Sequence, residues 1–505
     1  ARGPSASSMQ QPSPRALRDF EDRPGQRQMA AAVGEALASG HVLLCEAGTG
    51  TGKTLAYLAP ALTSGQRVVI STATKALMDQ ILDKDLPVAF SALGPDRPAP
   101  RVAVATGLSN HVSRRRFDEF LRDPGASRRH ARALPVLERF VREDARGDVA
   151  GALGLEEDDP IWPLVTSSPE TRIGSKCAFF EDCFVTRMRK DLDEAQLIVT
   201  NHHLFFADLA LRRGARGASG RSFVLPSYDA VIFDEAHRIE DVASEFFGHR
   251  LTSAQISQLA AQAERALDAE GEADTVFSRG SGAALCRELE LAGAAFFDLV
   301  AERGRLGLGE AEGAGRGRAE LDPDLRLELA RSTEFAALDD ALATLAQYAE
   351  GLATEDATLL LIRRIEEVRE QAARVLAPTD LEVAYAERRE RTTILAARRV
   401  RIGDHLRNLD FDRGGAVVMT SATLTSVPIS APKPAVTEAH DYADEPAESE
   451  RVTSPPTPGP FSFVRQRLGL SELTLNEVRE LVVQSPFDYE ERTVFYGARD
   501  LPEVQ

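Results

Sequence analysis

The sequence is poor in what membranes and exported proteins need. No apolar run approaches the roughly 20 residues of a membrane span, and the N-terminal stretch lacks the apolar core of a secretory signal. A cytoplasmic protein without a membrane partner is therefore expected, and in that compartment the four cysteines do not form disulfides. Positive charge is also in deficit. Lys and Arg number 60 against 78 Asp and Glu, so the net charge of −18 argues against a uniformly nucleic-acid-binding surface. An initiator methionine is missing: the chain opens Ala1-Arg2-Gly3-Pro4-Ser5, which suggests a fragment or a lost upstream piece. The Pro/Ser/Gln content of residues 1–17 predicts a disordered leader.

What is present is a globular composition. At 505 residues with 43% apolar content, two to four domains are expected rather than one core. The basic residues are clustered: Arg114, Arg115 and Arg116; Arg128 and Arg129; Arg187, Arg189 and Lys190; Arg212, Arg213 and Arg216. Acids concentrate at 156–159, in the 251–360 region and in the tail. A basic groove on an acidic protein is compatible with holding one nucleic-acid strand.

The strongest motif is Glu46-Ala47-Gly48-Thr49-Gly50-Thr51-Gly52-Lys53-Thr54, which follows the apolar run 42–45. This order reads as a buried strand, a phosphate loop and a helix starting near Lys53. Small residues let backbone N–H groups converge on phosphate oxygens, Lys53 can reach the outer phosphates, and the Thr54 hydroxyl suits Mg²⁺. The first loop position is Ala47, where the general pattern has glycine. Far downstream, the apolar run 230–233 leads into Asp234-Glu235-Ala236-His237. Asp234 at a strand tip can hold Mg²⁺, and Glu235 can polarise the attacking water. Alone, such an acid pair equally suits a helix N-terminus. A third strand runs into Thr420-Ser421-Ala422-Thr423-Leu424, whose hydroxyls can hydrogen-bond the acids.

Together with Ser71-Thr72-Ala73-Thr74-Lys75, these segments resemble the motifs of superfamily 2 helicases. Four further blocks narrow the resemblance to the DinG/YoaA branch of the XPD-like DNA helicases. They are Arg23-Pro24-Gly25-Gln26; 183–189 (Cys-Phe-Val-Thr-Arg-Met-Arg); 199–204 (Val-Thr-Asn-His-His-Leu); and 485–489 (Ser-Pro-Phe-Asp-Tyr). The resemblance implies ATP-driven 5′-to-3′ movement on DNA, usually in repair or replication. It adds Gln26 as an adenine contact and His237 as a link from hydrolysis to DNA. Candidate DNA contacts are Thr72, Thr74, Arg114 and Arg187. Asn201-His202-His203 is expected to cap and pack the turn after its strand.

In this family an iron–sulfur cluster sits on four cysteines between the phosphate loop and the acid pair. Two of those positions survive as Cys177 and Cys183, while Ser113 and Arg172 stand at the other two. Such clusters need four thiolates, and arginine has no lone pair to donate, so no cluster is expected. Cys45 and Cys286 lie elsewhere. A zinc site from Cys177, Cys183 and His111 with His130 or His203 is the alternative, though no spacing favours it. Without a metal, Phe179, Phe180, Phe184, Ile161 and Trp162 are the candidate packing residues.

Strand-like runs at 42–45, 67–71, 101–105, 197–200, 231–233 and 417–420 alternate with helical stretches. That predicts an α/β fold: a RecA-like parallel-sheet helicase domain at 18–107, 196–250 and 401–425. Two insertions interrupt it, a cluster-domain remnant at 108–195 and a mostly helical arch-like domain at 251–400. Residues 303–317 are glycine-rich and read as a loop. A disordered insertion is expected at 426–460, and 461–505 reads as the start of a second RecA-like domain with its first strand at 492–496. The arginine motifs of that second domain are missing, so these 505 residues are expected to bind nucleotide weakly and hydrolyse it poorly. The partners expected are ATP and single-stranded or forked DNA, with Mg²⁺ as cofactor, acting on a monomer. Alternatives left open are an RNA helicase, a non-enzymatic nucleotide- and DNA-binding fragment, and a helicase fused to a nuclease in a longer product.

Overall fold

The computed structural model describes residues 23–487 apart from 94–98, 157–158, 169–170, 215–223, 271–275, 307–316, 353–355, 378, 380–381, 390–391, 400–401, 404–414, 427–458, 472 and 475–476. The leader at 1–17, most of the insertion at 426–460, most of the glycine-rich loop at 303–317 and the strand expected at 492–496 lie outside the described residues. The chain divides into two compact units, Asp241–Ile402 and the remainder.

In chain order the first unit contributes β1 (Val42–Ala47), β2 (Val68–Thr72), β3 (Val102–Val104), β4 (Leu197–Asn201) and β5 (Ala230–Asp234). The second contributes β6 (His249–Thr252), β7 (Arg318–Leu321), β8 (Glu382–Arg389) and β9 (Thr392–Arg399). The first unit resumes with β10 (Ala416–Ser421) and β11 (Val478–Val483).

Seven parallel strands form the sheet of the first unit in the order β11-β1-β10-β5-β2-β4-β3. Strands β1, β2, β5 and β10 are buried at every position, as a parallel sheet covered on both faces requires. Helices Pro24–Ser39 and Lys53–Thr63 supply Met29, Val33, Leu37, Tyr57 and Leu58 to its core. Six strands match the runs read from sequence. The seventh, β11, was not anticipated, because Arg479 and Glu480 interrupt its apolar pattern; both are exposed at the sheet's edge. Residues 478–483, expected in a second domain, pair with β1 from Val42↔Val478 to Ala47↔Val483 and complete the first sheet instead.

Between β3 and β4, the expected cluster-domain remnant has its own core of Phe117, Phe120, Leu137, Phe140, Ile161, Trp162, Val165 and Phe184. Ile161, Trp162 and Phe184 are where sequence reasoning put them, but Phe179 and Phe180 are only half-buried in a turn. Helices Arg114–Arg122 and Leu134–Glu143 take over their packing role, through apolar residues spaced three and four apart.

The second unit is mostly helical, as read, with Ser253–Glu270, Val276–Arg303, Thr333–Leu352 and Asp356–Leu376 as its long helices. It also holds an unexpected antiparallel sheet, β6-β9-β8-β7. Arg326 is 2% exposed and donates to the carbonyls of Val375 (2.7 Å) and Ala377 (2.6 Å), capping the C-terminal end of the last long helix.

Candidate active site

The phosphate loop runs from the end of β1 into the helix that begins at Lys53, with Gly52 as N-cap at φ 79° and ψ 38°. Gly50 also has a left-handed φ of 81°. A side chain at either would be strained, and its Cβ would collide with the Phe487 ring at Gly50 or the Gln26 amide at Gly52. Ala47, by contrast, is the last residue of β1, where an extended backbone accepts alanine, so its departure from glycine costs nothing. Lys53 Nζ donates to the Ala47 carbonyl at 3.3 Å, and Thr51 Oγ1 to Gly48 at 2.9 Å. Arg23 reaches the Gly50 carbonyl, and Gln26 Nε2 donates to Gly52 at 3.0 Å. From the chain beyond β11, Ser485 Oγ donates to the Thr49 carbonyl at 2.9 Å.

The acid pair sits at the tip of β5, one strand beyond β10 from the loop. Asp234 is 5% exposed and accepts from the Tyr57 hydroxyl at 3.2 Å. Burial, with the neighbouring Glu235 charge second and Lys53 opposing, pushes its carboxyl up to about 6. Glu235 has φ 55° and ψ 48°, a left-handed conformation that non-glycine residues rarely hold outside functional sites. Ser421 Oγ at the end of β10 donates to Glu235 Oε2 at 3.3 Å and lies 2.8 Å from His237 Nδ1. Ser421, Glu235 and His237 therefore form one network, with Asp234 next to it in the chain.

The raised Asp234 pKa has a thermodynamic sign. The folded state binds this proton more readily than the unfolded chain, so stability rises as pH falls through about 6 toward the ordinary aspartate value of 3.8. Asp234→Asn should therefore stabilise the protein at neutral pH by roughly 1–3 kcal/mol, a gain that shrinks as pH falls below about 6. Urea denaturation across that range checks it; destabilisation at neutral pH would refute the assignment.

Sequence reasoning missed Glu46. It is 3% exposed on β1 and accepts from Leu424 N (2.6 Å), Thr425 N (2.5 Å) and Thr425 Oγ1 (2.9 Å). It thereby ties the turn after Ser421 to the strand that feeds the loop. The available signal was an acid inside an otherwise apolar strand, since a buried carboxylate demands donors.

Asn201-His202-His203 caps and packs, as expected. Asn201 Oδ1 accepts from Leu204 N at 2.8 Å, and fully buried His202 pairs through Nδ1 with Ser71 Oγ at 2.7 Å. Burial brings the His202 pKa down to about 4, so it is neutral at physiological pH. Of the candidate DNA contacts, Thr72 is fully buried with its hydroxyl on the Thr74 carbonyl, and Thr74 caps helix Lys75–Gln80. Arg114 and Arg187 meet at Asp182: Arg114 Nε donates to its carbonyl at 2.9 Å and Arg187 Nη2 to its carboxylate at 2.6 Å.

Cys177, Cys183, Ser113 and Arg172 do not make up a four-thiolate set. Ser113 accepts from Arg116 N as the cap of helix Arg114–Arg122, and Arg172 supplies a cation. The histidine set against Cys177 and Cys183 in the zinc alternative has other partners. His111 is instead occupied by Thr106 Oγ1 at 2.8 Å and the Arg146 carbonyl at 3.2 Å. The residues read as Mg²⁺ ligands do fit a cation: Asp234 is a buried carboxylate that bonds Tyr57, and Thr54 acts on that same tyrosine.

A glycine-rich loop between a parallel strand and a helix, with an acid pair at a nearby strand tip, defines a P-loop nucleotide site of the RecA-like class. Residues 23–94 match the DEAD/DEAH box helicase family. The chain is 40% identical over 254 residues to the ATP-dependent DNA helicase YoaA of Escherichia coli, covering 49% of this chain and 38% of that protein. It is 34% identical over 266 residues to the ATP-dependent helicase DinG of Mycobacterium tuberculosis, covering 49% and 39%. A solved structure titled XPD_Helicase aligns with 80% of this chain and 59% of its own at 15% identity, with a TM-score of 0.39. Residues 23–94 thus resemble the DEAD/DEAH box helicases, and about half of the chain is similar in sequence to the helicases named YoaA and DinG. The chain spans under two fifths of the length of these curated relatives.

Proposed function

We propose that the chain is the nucleotide-binding part of an ATP-dependent DNA helicase that moves 5′ to 3′ and serves repair or replication in the cytoplasm. The observation that carries this reading is the network joining Glu235, Ser421 and His237, next to the buried Asp234 at the strand tips beside the Lys53 loop. Lys53 holds the β- and γ-phosphates, and loop residues 47–52 supply backbone donors. Gln26 contacts adenine. Thr54 and Asp234 hold Mg²⁺, which when bound neutralises charge on the transferring phosphoryl group. Glu235 orients the attacking water and takes up its proton at the carboxylate. Ser421 and His237 carry the state of Glu235 toward the DNA, where Thr74, Arg114 and Arg187 are the contacts we favour. Occupied by nucleotide, the loop exchanges the Lys53 bond to Ala47 for one to phosphate.

Calorimetry with MgATP, followed by turnover with single-stranded DNA or RNA added, tests the reading. Stimulation by DNA above RNA is expected; failure to take up MgATP would end it. The single-stranded or forked DNA substrate and the monomeric state belong to the same proposal. So does the loss of the iron–sulfur cluster, for which iron and acid-labile sulfide on anaerobically purified protein should both read near zero. Stoichiometric iron would overturn that part.

A further inference from the structure

The second unit carries a recess that the nucleotide site does not use. Ala384, Ala386, Leu395 and Ala397 face its helical core, so the alternate residues of β8 and β9 lie on the other face of the sheet. There a cavity of about 270 Å³ is lined by Arg250, Arg318, Arg389 and Arg398 around Tyr385. The Arg318 guanidinium lies 3.7 Å from the Tyr385 ring centroid, and that of Arg398 lies 5.6 Å away. Two of the arginines have acid partners: Arg389 meets Glu387 at 2.7 Å and Arg250 meets Glu245 at 3.4 Å. Arg318 and Arg398 make no ion pair within 4 Å among the described residues, though Arg318 feels the Glu387 charge; both guanidinium groups lie by the Tyr385 ring.

This leaves the lining with an excess of positive charge on a protein of net charge −18. Guanidinium groups stay charged and carry donors without acceptors, so two of them around one ring repel each other unless an anion lies between. The planar fork matches phosphate oxygens in pairs. The cavity is smaller than the roughly 300 Å³ at which sites for drug-sized ligands begin, which suits a phosphate group rather than a whole nucleotide.

We propose that this recess is a second phosphate-binding site, in which Arg318 and Arg398, steadied by Tyr385, hold one phosphate group of a nucleic-acid backbone or of a free polyphosphate. The backbone source rests on the DNA reading above; the free anion does not.

The test uses the whole chain with Arg318→Gln and Arg398→Gln combined. With labelled oligothymidylate, affinity should fall about fivefold or more. The slope of log affinity against log salt should drop by about 1.4, the value for two lost contacts to a single strand. Arg318→Lys with Arg398→Lys keeps the charges and should restore most of that slope, which a merely misfolded sheet would not do. In a second arm, pyrophosphate is titrated by calorimetry in a Lys53→Ala background, so that the loop contributes little. A loss on the glutamine pair in either arm supports the site and names its source; unchanged binding in both arms overturns it. MgATP affinity of the glutamine pair should equal that of the parent. Absence of MgATP binding in the parent would count against the nucleotide site alone.

Discussion

Lys53→Ala should weaken MgATP binding by about 10- to 150-fold, the span set by hydrogen bonds to charged groups of roughly 1.5–3 kcal/mol. Any turnover should fall further, by about 100- to 1,000-fold, because the amine also meets charge that develops on the transferring group. Lys53 is the side-chain cation of the loop itself, and without nucleotide its amine rests on the Ala47 carbonyl. Alanine is well tolerated at the first residue of a helix, so the melting temperature should stay close to that of the parent. MgATP affinity equal to the parent's, measured by calorimetry, would remove Lys53 from the site.

Glu46→Ala should cost about 2 kcal/mol or more of folding stability. It strands the buried Leu424 N–H, at roughly 1–3 kcal/mol, and takes one acceptor from the half-buried Thr425 N–H and hydroxyl. Glu46→Gln keeps one carbonyl acceptor and should lose about half as much. Because Glu46 anchors the turn after Ser421, both variants should also lower stimulation of turnover by DNA more than they lower MgATP affinity. Urea denaturation read beside that ratio checks the pair of effects. An unchanged unfolding midpoint would mean that the anchoring bonds carry no weight.

The central sheet was legible because its strands are short, uninterrupted apolar runs that end in small or acidic residues. Local order sufficed for the loop as well, since Gly50 and Gly52 declare their backbone conformations directly. Contacts between distant segments were harder to see. Glu46 finds its donors near position 424, and β11 is recruited to β1 despite the charges at Arg479 and Glu480. Nothing local names the partner in either case, even where the acid in β1 shows that donors are needed. The four-stranded sheet of the second unit was hidden for a related reason. Its strands are rich in alanine and arginine, residues that also suit a helix, so pairing rather than propensity decides their state.

The loop is stitched to the peptide that leaves β11. Gly48 N donates to the Val483 carbonyl at 3.2 Å, Ser485 is fastened to Thr49, and the Phe487 ring lies against Gly50. The shape of the phosphate cradle is therefore set in part by a peptide more than 430 positions downstream, and a substitution at Ser485 or Phe487 reaches the loop without touching it in sequence.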